Sequence, residues 1–570
     1  MFCAQARVWN IAGRSTSMRL LRLRTLFTHG SQATYIDEIR ESVIGKQTKR
    51  TQESTSPENA LNVVFFANKH NSMSQRLCLE LEKRNHHVKV FEINNSSEMS
   101  EVAKNQQADI ILAPFLTKTV PDDVWNNSGV PCIIVHPGIE GDRGRHSLDW
   151  ALKQQQPEWG VTLLQAAEEM DAGDIWSTFN FKLNRTNINT LTKSSLYTNE
   201  VTDAAVRCLL DTVERFRNGQ SPRPLNYENA NVKGKLMEPL KNADRTVDWK
   251  QPAEEVACRV RMSDSSPGAI ATLLLKDNGK MLNEKYRVFG AHLEQADSFN
   301  SPSYEPGQII AQRHGAILVK CGEGAIWLSH LKRNKLKLPA TSWLKQNGIS
   351  IPSMPEPNLE IFNEAYPRTF QEIWTKQTPD GACYVHFNFY NGAMNTDQCQ
   401  RLSNALRKIA RDENTKVVVL MGGHNFFSNG IHLNCIENAA NPSIESLHNI
   451  TAINDLVRDV FSMQDKITIS AVQGNAGAGG VMMALASDLV LSRDGVVINP
   501  HYTNMSLFGS EYHTFFLERR LGREKMLQIT SGAKSMLSSE AVSTGLFDCI
   551  IGGNVTEFQS ELEQVVTKVV

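Results

Sequence analysis

The sequence predicts a multidomain α/β protein with three folded domains, and three observations support this prediction. The 570 residues exceed what a single hydrophobic core usually organises. From Leu61, short apolar stretches typical of strands alternate with helical stretches, as in an open parallel sheet. Further on, short strands separated by glycine turns indicate a small β-barrel, and a later glycine-rich turn leads into an apolar, helix-forming stretch.

The composition is that of an ordinary globular protein and excludes some classes of partner. Hydrophobic residues make up 41% of the chain, and the formal net charge is -1, so no overall charge favours nucleic acid or an acidic membrane. No apolar run reaches membrane-spanning length. The ten cysteines form no C-x-x-C pair and no zinc-ligand spacing, which favours a reducing compartment, core thiols and no metal site.

Residues 1–58 differ in composition from the rest of the chain. They are rich in arginine and hydroxyl residues, and the first acidic residue is Asp37. In MRLLRLRTLF, arginines and leucines can lie on opposite faces of a helix. We expect a transit peptide that directs the protein to the mitochondrial matrix, with a disordered basic tail as the alternative.

The second interval, residues 59–240, carries the predicted open sheet. Its apolar stretches include ADIILAPF and CIIVHPG, and the loop HPGIEGDRG follows the last of them. Ligands of such sheets bind beyond the carboxyl ends of the strands, so this loop is placed for chemistry.

The next two intervals are a predicted barrel and a predicted linker. Residues 241–333 include GAIATLLL and KYRVFGAHL between glycine turns and predict an OB-like β-barrel. Residues 334–380 contain Pro339, Pro352, Pro355, Pro357 and Pro367, and we interpret them as a linker. The third domain covers residues 381–570.

The stretches IIVHPGIEGDRGRHSLDWAL and EWGVTLLQAAEEMDAGDIW resemble the folate-dependent formyltransferases, and the likeness continues to about Lys332. The resemblance implies 10-formyltetrahydrofolate as a substrate. It implies that His136 donates a hydrogen bond to the formyl oxygen and that Asp171 fixes the protonation of His136. It also implies folate-binding residues, namely Arg143, Gly144, Gly160 and Thr162. The alternative is that His136 only caps a loop.

One position departs from the formyltransferase pattern. The family's asparagine, two residues before its histidine, falls on Ile134. The loss of such an oxyanion donor costs on the order of several kcal/mol in the transition state. We therefore expect an acceptor other than methionyl-tRNA.

Three stretches of the third domain, YVHFNFYNGAMN, NFFSNGIHL and ITISAVQGNAGAGGVMMALASDLVLSR, resemble the crotonase family of enoyl-CoA hydratases and isomerases, which has a ClpP-like α/β fold. Glycines let the backbone approach a thioester closely. The resemblance implies that the amides of Ile431 and Gly479 form an oxyanion hole. It implies coenzyme A contacts from Ser428, Gly430, Gly477 and Gly480. Tight packing and a dinucleotide loop are the alternatives, although the motif GxGxxG is missing here.

The catalytic acids of a hydratase are absent, because their positions hold Met482 and His501. Glu511 and Tyr512, in LFGSEYHTFF, are the candidates for a base and a proton donor. His501 and His432 are reserve candidates. The alternative for Glu511 is an acid that only stabilises a helix N-terminus.

A formyltransferase joined to a crotonase resembles a family of hydrogenase maturation factors. The resemblance implies transfer of formyl from 10-formyltetrahydrofolate to coenzyme A and decarbonylation of formyl-CoA to carbon monoxide. Two alternatives remain open: hydrolysis of formyl-CoA to formate, and a crotonase-like half that only docks a partner. A metalloenzyme client of unknown identity is implied. We expect a monomer, because the sequence stops at Val570, before the helices with which crotonases form trimers.

Overall fold

A computed structural model of the chain describes residues 60–126, 129–183, 191–277, 280–295, 303–346, 348, 350–355 and 369–570. The expected transit peptide, residues 1–58, lies outside the described residues. The described residues form three domains in chain order.

The first domain is built on a six-stranded sheet of order β2-β1-β3-β4-β5-β6. Strands β1 to β4 are parallel, as expected, whereas β5 and β6 continue the sheet in antiparallel pairing, with His136 of β4 opposite Thr162 of β5. The strands are β1 (Asn62–Ala67), β2 (His87–Glu92), β3 (Ile110–Phe115), β4 (Cys132–His136), β5 (Glu158–Gln165) and β6 (Ile175–Lys182).

Helices cover both faces of this sheet, because its central strands are apolar on both sides. Helices α1 and α6 contribute to the core on one face, and α2 and α3 to the core on the other. The helices are α1 (Ser72–Glu82), α2 (Ser96–Asn105), α3 (Asp122–Trp125), α4 (Ser147–Lys153), α5 (Lys193–Leu196) and α6 (Thr202–Arg217), with a π-helical segment, Tyr197–Val201, between the last two.

The second domain is a small antiparallel barrel of order β7-β8-β11-β10-β9, in which β12 pairs with β11. A bridge between Leu274 and Gln308 joins the first strand to the last. The elements are α7 (Ala253–Met262), β7 (Ala269–Asp277), β8 (Lys280–Glu294), β9 (Ile309–Arg313), β10 (Ala316–Lys320), β11 (Ala325–Arg333), β12 (Leu336–Pro339) and α8 (Ala340–Gln346).

The interval interpreted as a linker, residues 334–380, is partly built into the domains. Strand β12 pairs with β11 through the register Leu331 to Leu338, and α8 packs its buried Leu344 in the barrel core. At the other end, β13 (Ile373–Gln377) is an edge strand of the third domain. The prolines led to the interpretation as a linker. Pro339, however, is the last residue of β12, a position at which proline does not interrupt the strand.

The third domain contains a six-stranded sheet, β13-β14-β16-β19-β21-β24, a smaller sheet, β17-β20-β22-β23, and the strand pair β15-β18. Its other strands are β14 (Ala382–Phe387), β15 (Ala393–Met394), β16 (Val417–Met421), β17 (Phe426–Ser428), β18 (Gly430–Ile431), β19 (Ile467–Val472), β20 (Asn475–Gly477), β21 (Leu489–Ser492), β22 (Val497–Asn499), β23 (Met536–Leu537) and β24 (Cys549–Ile550). Its helices are α9 (Thr396–Ala410), α10 (Leu433–Asn438), α11 (Pro442–Phe461), α12 (Gly479–Leu485), α13 (His513–Leu521), α14 (Arg523–Gly532), α15 (Ser538–Ser543) and α16 (Val555–Val569).

The first and third domains are joined by a buried polar contact. Arg493 of the third domain donates a hydrogen bond to the Asn199 side chain of the first domain over 3.2 Å. Asn199 in turn donates to the side chain of Asn425 over 3.1 Å. Among the described helices, none has the length and apolar character needed to cross a membrane.

Candidate functional site

The first candidate site lies at the end of β4, where His136 is buried. The chain turns sharply after it: Trp159 donates a hydrogen bond to the carbonyl of Pro137 over 2.9 Å, and Thr162 donates to that of Gly138, also over 2.9 Å. A Cβ atom at Gly138 would clash with both the His136 ring and the Asp142 carboxylate. The glycine therefore lets the loop fold back over the histidine.

Two carboxylates flank the His136 ring. Asp142 Oδ2 lies 2.9 Å from Nε2, and Asp171 Oδ2 lies 3.6 Å from Nδ1. Burial by itself lowers the pKa of His136, but Asp171 and then Asp142 outweigh it, so the net pKa is raised. The site thus favours an imidazolium that can donate to a developing oxyanion. The sequence pattern indicated Asp171 but not Asp142, which stands six residues after His136 in the same loop.

The Asp171 loop is held by residues that the resemblance assigned to folate. The Gly144 amide donates to the Asp171 carboxylate over 3.1 Å. Arg143 pairs with Glu169 at 2.9 Å and donates to the Met170 carbonyl over 3.0 Å. Asp171 itself has a φ of 54°. The left-handed backbone conformation of an aspartate costs free energy, and the contacts of Gly144 and Arg143 offset this cost. They thereby hold the Asp171 carboxylate against the His136 ring.

The other two predicted folate-binding residues and Ile134 lie in the sheet. Thr162 is buried beside Thr178, and the Asn180 side chain lies where a side chain at Gly160 would project. Ile134 pairs with Leu164 and packs, partly buried, against an apolar cluster. The position of the family's asparagine is therefore apolar here, and His136 is the polar side chain at this strand end.

The second candidate site forms where β18 meets the start of α12. Gly430 and Gly479 approach so closely that a Cβ atom at Gly430 would lie 3.2 Å from the Gly479 nitrogen. These segments carry Ile431 and Gly479, whose amides the crotonase resemblance assigns to an oxyanion hole. Ala478, directly before α12, has φ 46° and ψ -120°, which is strained for a residue with a side chain.

The residues predicted to contact coenzyme A pack around this junction. The Ser428 hydroxyl accepts a hydrogen bond from the Gly430 amide over 3.1 Å, and a Cβ atom at Gly480 would clash with the Ser428 carbonyl. A Cβ atom at Gly477 would lie 2.9 Å from the side-chain oxygen of Asn429. The glycines therefore permit two loops to pack closely where larger residues would clash.

Glu511 lies directly at this junction. Its carboxylate occupies the space that a side chain at Gly479 would need, and Oε1 would lie 3.7 Å from a Cβ atom at Gly430. The side chain is buried and accepts hydrogen bonds from Ser510 and, over 2.8 Å, from the hydroxyl of Tyr502. Burial raises the pKa of Glu511, and these hydrogen bonds offset only part of the effect. Glu511 is thus suited to act as a base.

The structure does not bring Tyr512 to the Glu511 carboxylate. The Tyr512 ring packs edge-on against Phe461, with ring centroids 5.5 Å apart, and its hydroxyl contacts Arg458. Glu511 and Tyr512 both have positive φ, 52° and 55°, so the backbone turns between them and the side chains diverge. The tyrosine beside the carboxylate is Tyr502, nine residues earlier, which sequence analysis did not identify.

The reserve histidines and Met482 occupy different environments. Met482 is buried in the apolar core of the domain. His432 caps α10, and burial lowers its pKa. His501 is buried, and neither ring nitrogen has a hydrogen-bond partner within the described part of the chain. Burial lowers the pKa of His501, so a neutral imidazole is favoured there.

Among the residues that the structure describes, no group of three or more histidines, cysteines, aspartates or glutamates is arranged to hold a metal ion.

Three family profiles match the chain in the order of its domains. Residues 92–211 match the family described as formyl transferase, and residues 239–348 match the formyl transferase C-terminal domain. Residues 378–570 match enoyl-CoA hydratase/isomerase. The second match includes β12 and α8, in agreement with their place in the barrel.

Relatives match the chain over different shares of its length. The chain is 36% identical over 499 residues to the hydrogenase maturation factor HoxX of Bradyrhizobium diazoefficiens, covering 86% of this chain and 82% of that protein. A crystal structure of HypX from Aquifex aeolicus in complex with tetrahydrofolic acid superposes with a TM-score of 0.80 at 36% identity, over 89% of this chain and 86% of that one. A methionyl-tRNA formyltransferase of Sorangium cellulosum is 28% identical over 38% of this chain and 65% of its own length.

The chain is therefore an enzyme with formyltransferase and crotonase-like domains, and it belongs to the HoxX/HypX family of hydrogenase maturation factors.

Proposed function

We propose that the first domain transfers a formyl group from 10-formyltetrahydrofolate to the thiol of coenzyme A, and that the third domain splits formyl-CoA into carbon monoxide and coenzyme A. Tetrahydrofolic acid in the related HypX structure supports the folate substrate. The enoyl-CoA hydratase/isomerase match supports a coenzyme A thioester at the third domain.

In the first step, the thiolate of coenzyme A attacks the formyl carbon, and the bond from that carbon to the folate nitrogen breaks. Negative charge develops on the formyl oxygen. The His136 imidazolium, favoured by Asp142 and Asp171, donates a hydrogen bond to that oxygen from Nδ1, because Nε2 is bonded to Asp142 at 2.9 Å whereas Nδ1 lies 3.6 Å from Asp171, beyond hydrogen-bond distance. The coenzyme A thiol gives its proton to water when it ionises, and the departing folate nitrogen takes one proton from water, so the products are tetrahydrofolate and formyl-CoA.

In the second step, formyl-CoA loses its formyl proton and the bond from carbon to sulfur breaks. The amides of Ile431 and Gly479 polarise the carbonyl, and the Glu511 carboxylate takes the proton. The electron pair of the broken bond leaves with sulfur as thiolate. The proton held by Glu511 then passes to the thiolate, which gives carbon monoxide and free coenzyme A, and atoms and charge balance.

The observation that carries this proposal is the position of Glu511. A buried carboxylate lies against Gly479 and Gly430, at the predicted oxyanion hole, in a domain that lacks both hydratase acids. Adding water across a double bond needs those acids, whereas removing a single proton needs one base. Tyr502, not Tyr512, keeps the carboxylate in place through its 2.8 Å hydrogen bond.

The proposal is tested by giving the purified protein 10-formyltetrahydrofolate and coenzyme A. We expect release of tetrahydrofolate, dependence on coenzyme A, and carbon monoxide in equal amount. Formate in place of carbon monoxide would contradict decarbonylation and favour a formyl-CoA hydrolase. Tetrahydrofolate release with neither product would instead favour a third domain that only docks a partner.

A further inference from the structure

Tyr390 belongs to the third domain, but its hydroxyl reaches into the barrel domain. It donates a hydrogen bond to Asp264 Oδ1 over 2.6 Å and accepts one from Lys337 Nζ over 2.9 Å. Asp264 follows α7 of the barrel, and Lys337 lies on β12. The contact therefore joins two domains through one phenolic hydroxyl.

The barrel holds the Tyr390 side chain on several sides. The ring stacks on His330, with ring centroids 4.4 Å apart, and lies 6.5 Å from the ring of Phe289. The Lys337 ammonium lies 3.8 Å from the centre of the Phe289 ring. The second oxygen of Asp264 accepts the Gly290 amide over 3.2 Å. A hydroxyl enclosed in this way has one low-energy position.

From Tyr390, hydrogen bonds lead to the predicted oxyanion hole. Tyr390 begins the short turn Tyr390–Gly392, and the Gly392 carbonyl accepts the Asn429 amide over 2.7 Å. Directly after the turn, β15 pairs in parallel with β18, with Ala393 opposite Gly430 and Met394 opposite Ile431. The strand that Tyr390 anchors is therefore the hydrogen-bonded neighbour of the strand that presents the Ile431 amide.

We infer that Tyr390 is a positioning residue, through which the barrel domain holds the oxyanion strand Gly430–Ile431 in place for the thioester carbonyl. This inference rests on the proposed function of the third domain. Tyr390 has no part in the bond changes. Loss of the hydroxyl leaves Asp264 and Lys337 without their shared partner, so the 390–394 segment, and with it β18, loses its hydrogen-bonded attachment to the barrel.

The test uses Tyr390→Phe, which keeps the ring and removes the hydroxyl, and acetyl-CoA labelled with ¹³C at the carbonyl, which has no formyl hydrogen to lose. The carbonyl stretching band of the bound probe reports polarisation by the oxyanion hole. We expect a shift to lower frequency in the wild-type protein and a band closer to that of free acetyl-CoA in the variant. With formyl-CoA, kcat should fall by about tenfold and KM should change little, since removing an oxyanion donor outright costs ~10²–10³.

Tyr384→Phe is the matched control, because Tyr384 is a buried tyrosine of the same domain that packs in the separate core on the other face of the large sheet. It should leave the band and kcat unchanged. Lys337→Met, changed on the barrel side, should reproduce the effect of Tyr390→Phe and serves as the second variant if the first folds poorly. A wild-type band in the Tyr390→Phe protein would contradict the role of Tyr390 alone. An unshifted band in the wild-type protein would contradict the proposed function as well.

Discussion

At the scale of single residues, His136 owes its raised pKa to two carboxylates, of which Asp142 makes the 2.9 Å contact. Asp142→Asn keeps the shape and removes the charge, so we expect the pKa of His136 to fall. The imidazolium is then lost at lower pH, and the upper pH limit of tetrahydrofolate release should move to lower pH. The measurement is the rate of tetrahydrofolate release across pH, with the exposed Asp123→Asn as control. An unchanged profile would show that Asp142 does not set the protonation of His136.

Replacement of His136 by alanine removes the proposed donor to the formyl oxygen. General acid and base groups contribute ~10²–10⁴ in rate, and we expect tetrahydrofolate release to fall by that factor. Formyl-CoA supplied directly should still yield carbon monoxide, because the second site is separate. A His136→Ala protein that still released tetrahydrofolate at the wild-type rate would refute the assignment.

Glu511 makes the stability of the folded protein depend on pH. Because its pKa in the folded state is raised, the folded protein binds this proton more tightly than the unfolded chain does. The stability that this proton contributes is present below the unfolded pKa of 4.5 and is lost as pH rises through the folded pKa. Glu511→Gln should therefore gain in melting temperature relative to wild type across that window. A constant difference between the two proteins at all pH values would contradict a raised pKa.

At the scale of elements, the turn into α12 stores strain at Ala478, whose φ and ψ suit glycine. Relief of such strain is worth ~1–3 kcal/mol, less ~0.5–1 kcal/mol for the added freedom of glycine in the unfolded chain. Ala478→Gly should thus raise the free energy of unfolding by about 1 kcal/mol. Ala484→Gly, inside the same helix, should lower it. Thermal unfolding of both proteins checks this, and destabilisation by Ala478→Gly would show that the turn is unstrained.

Sequence patterns predicted the elements better than the side-chain contacts between them. The apolar stretch ending at His136 and the glycine turn before α12 lie where expected, because strand and turn formation depend on local sequence. The choice between Tyr502 and Tyr512 depends instead on two consecutive left-handed residues, which no local pattern indicated. Strand β12 was missed because its pairing with β11 is a tertiary contact.

At the scale of the whole molecule, Asn199 joins the first and third domains by accepting from Arg493 and donating to Asn425. Asn199→Ala leaves the buried Arg493 and the partly buried Asn425 each short of one partner, which costs ~1–3 kcal/mol. We expect a lower melting temperature and earlier separation of the two domains during unfolding. The exposed Asn218→Ala, directly after the following helix, should have no effect. Calorimetry of the full chain distinguishes the cases, and equal curves for Asn199→Ala and wild type would count against this contact.

Localisation to the mitochondrial matrix stays a prediction from the arginine-rich residues 1–58. Fused to a fluorescent protein, this segment should direct it to mitochondria and be cleaved. A fusion that remains uncleaved in the cytosol would support the alternative of a basic tail. The two-domain chemistry does not depend on this result.

The central claim is that Glu511 removes the formyl proton and so releases carbon monoxide. Formyl-CoA is given to the wild-type protein, to Glu511→Gln and to the exposed control Glu518→Gln, with haemoglobin as a spectroscopic trap for the gas. We predict carbon monoxide at equal rates from the wild type and the control, and a loss of ~10²-fold or more with Glu511→Gln. The His501→Ala protein is measured in the same way. If Glu511→Gln produces carbon monoxide at the wild-type rate while His501→Ala produces none, the claim is contradicted and the base is His501.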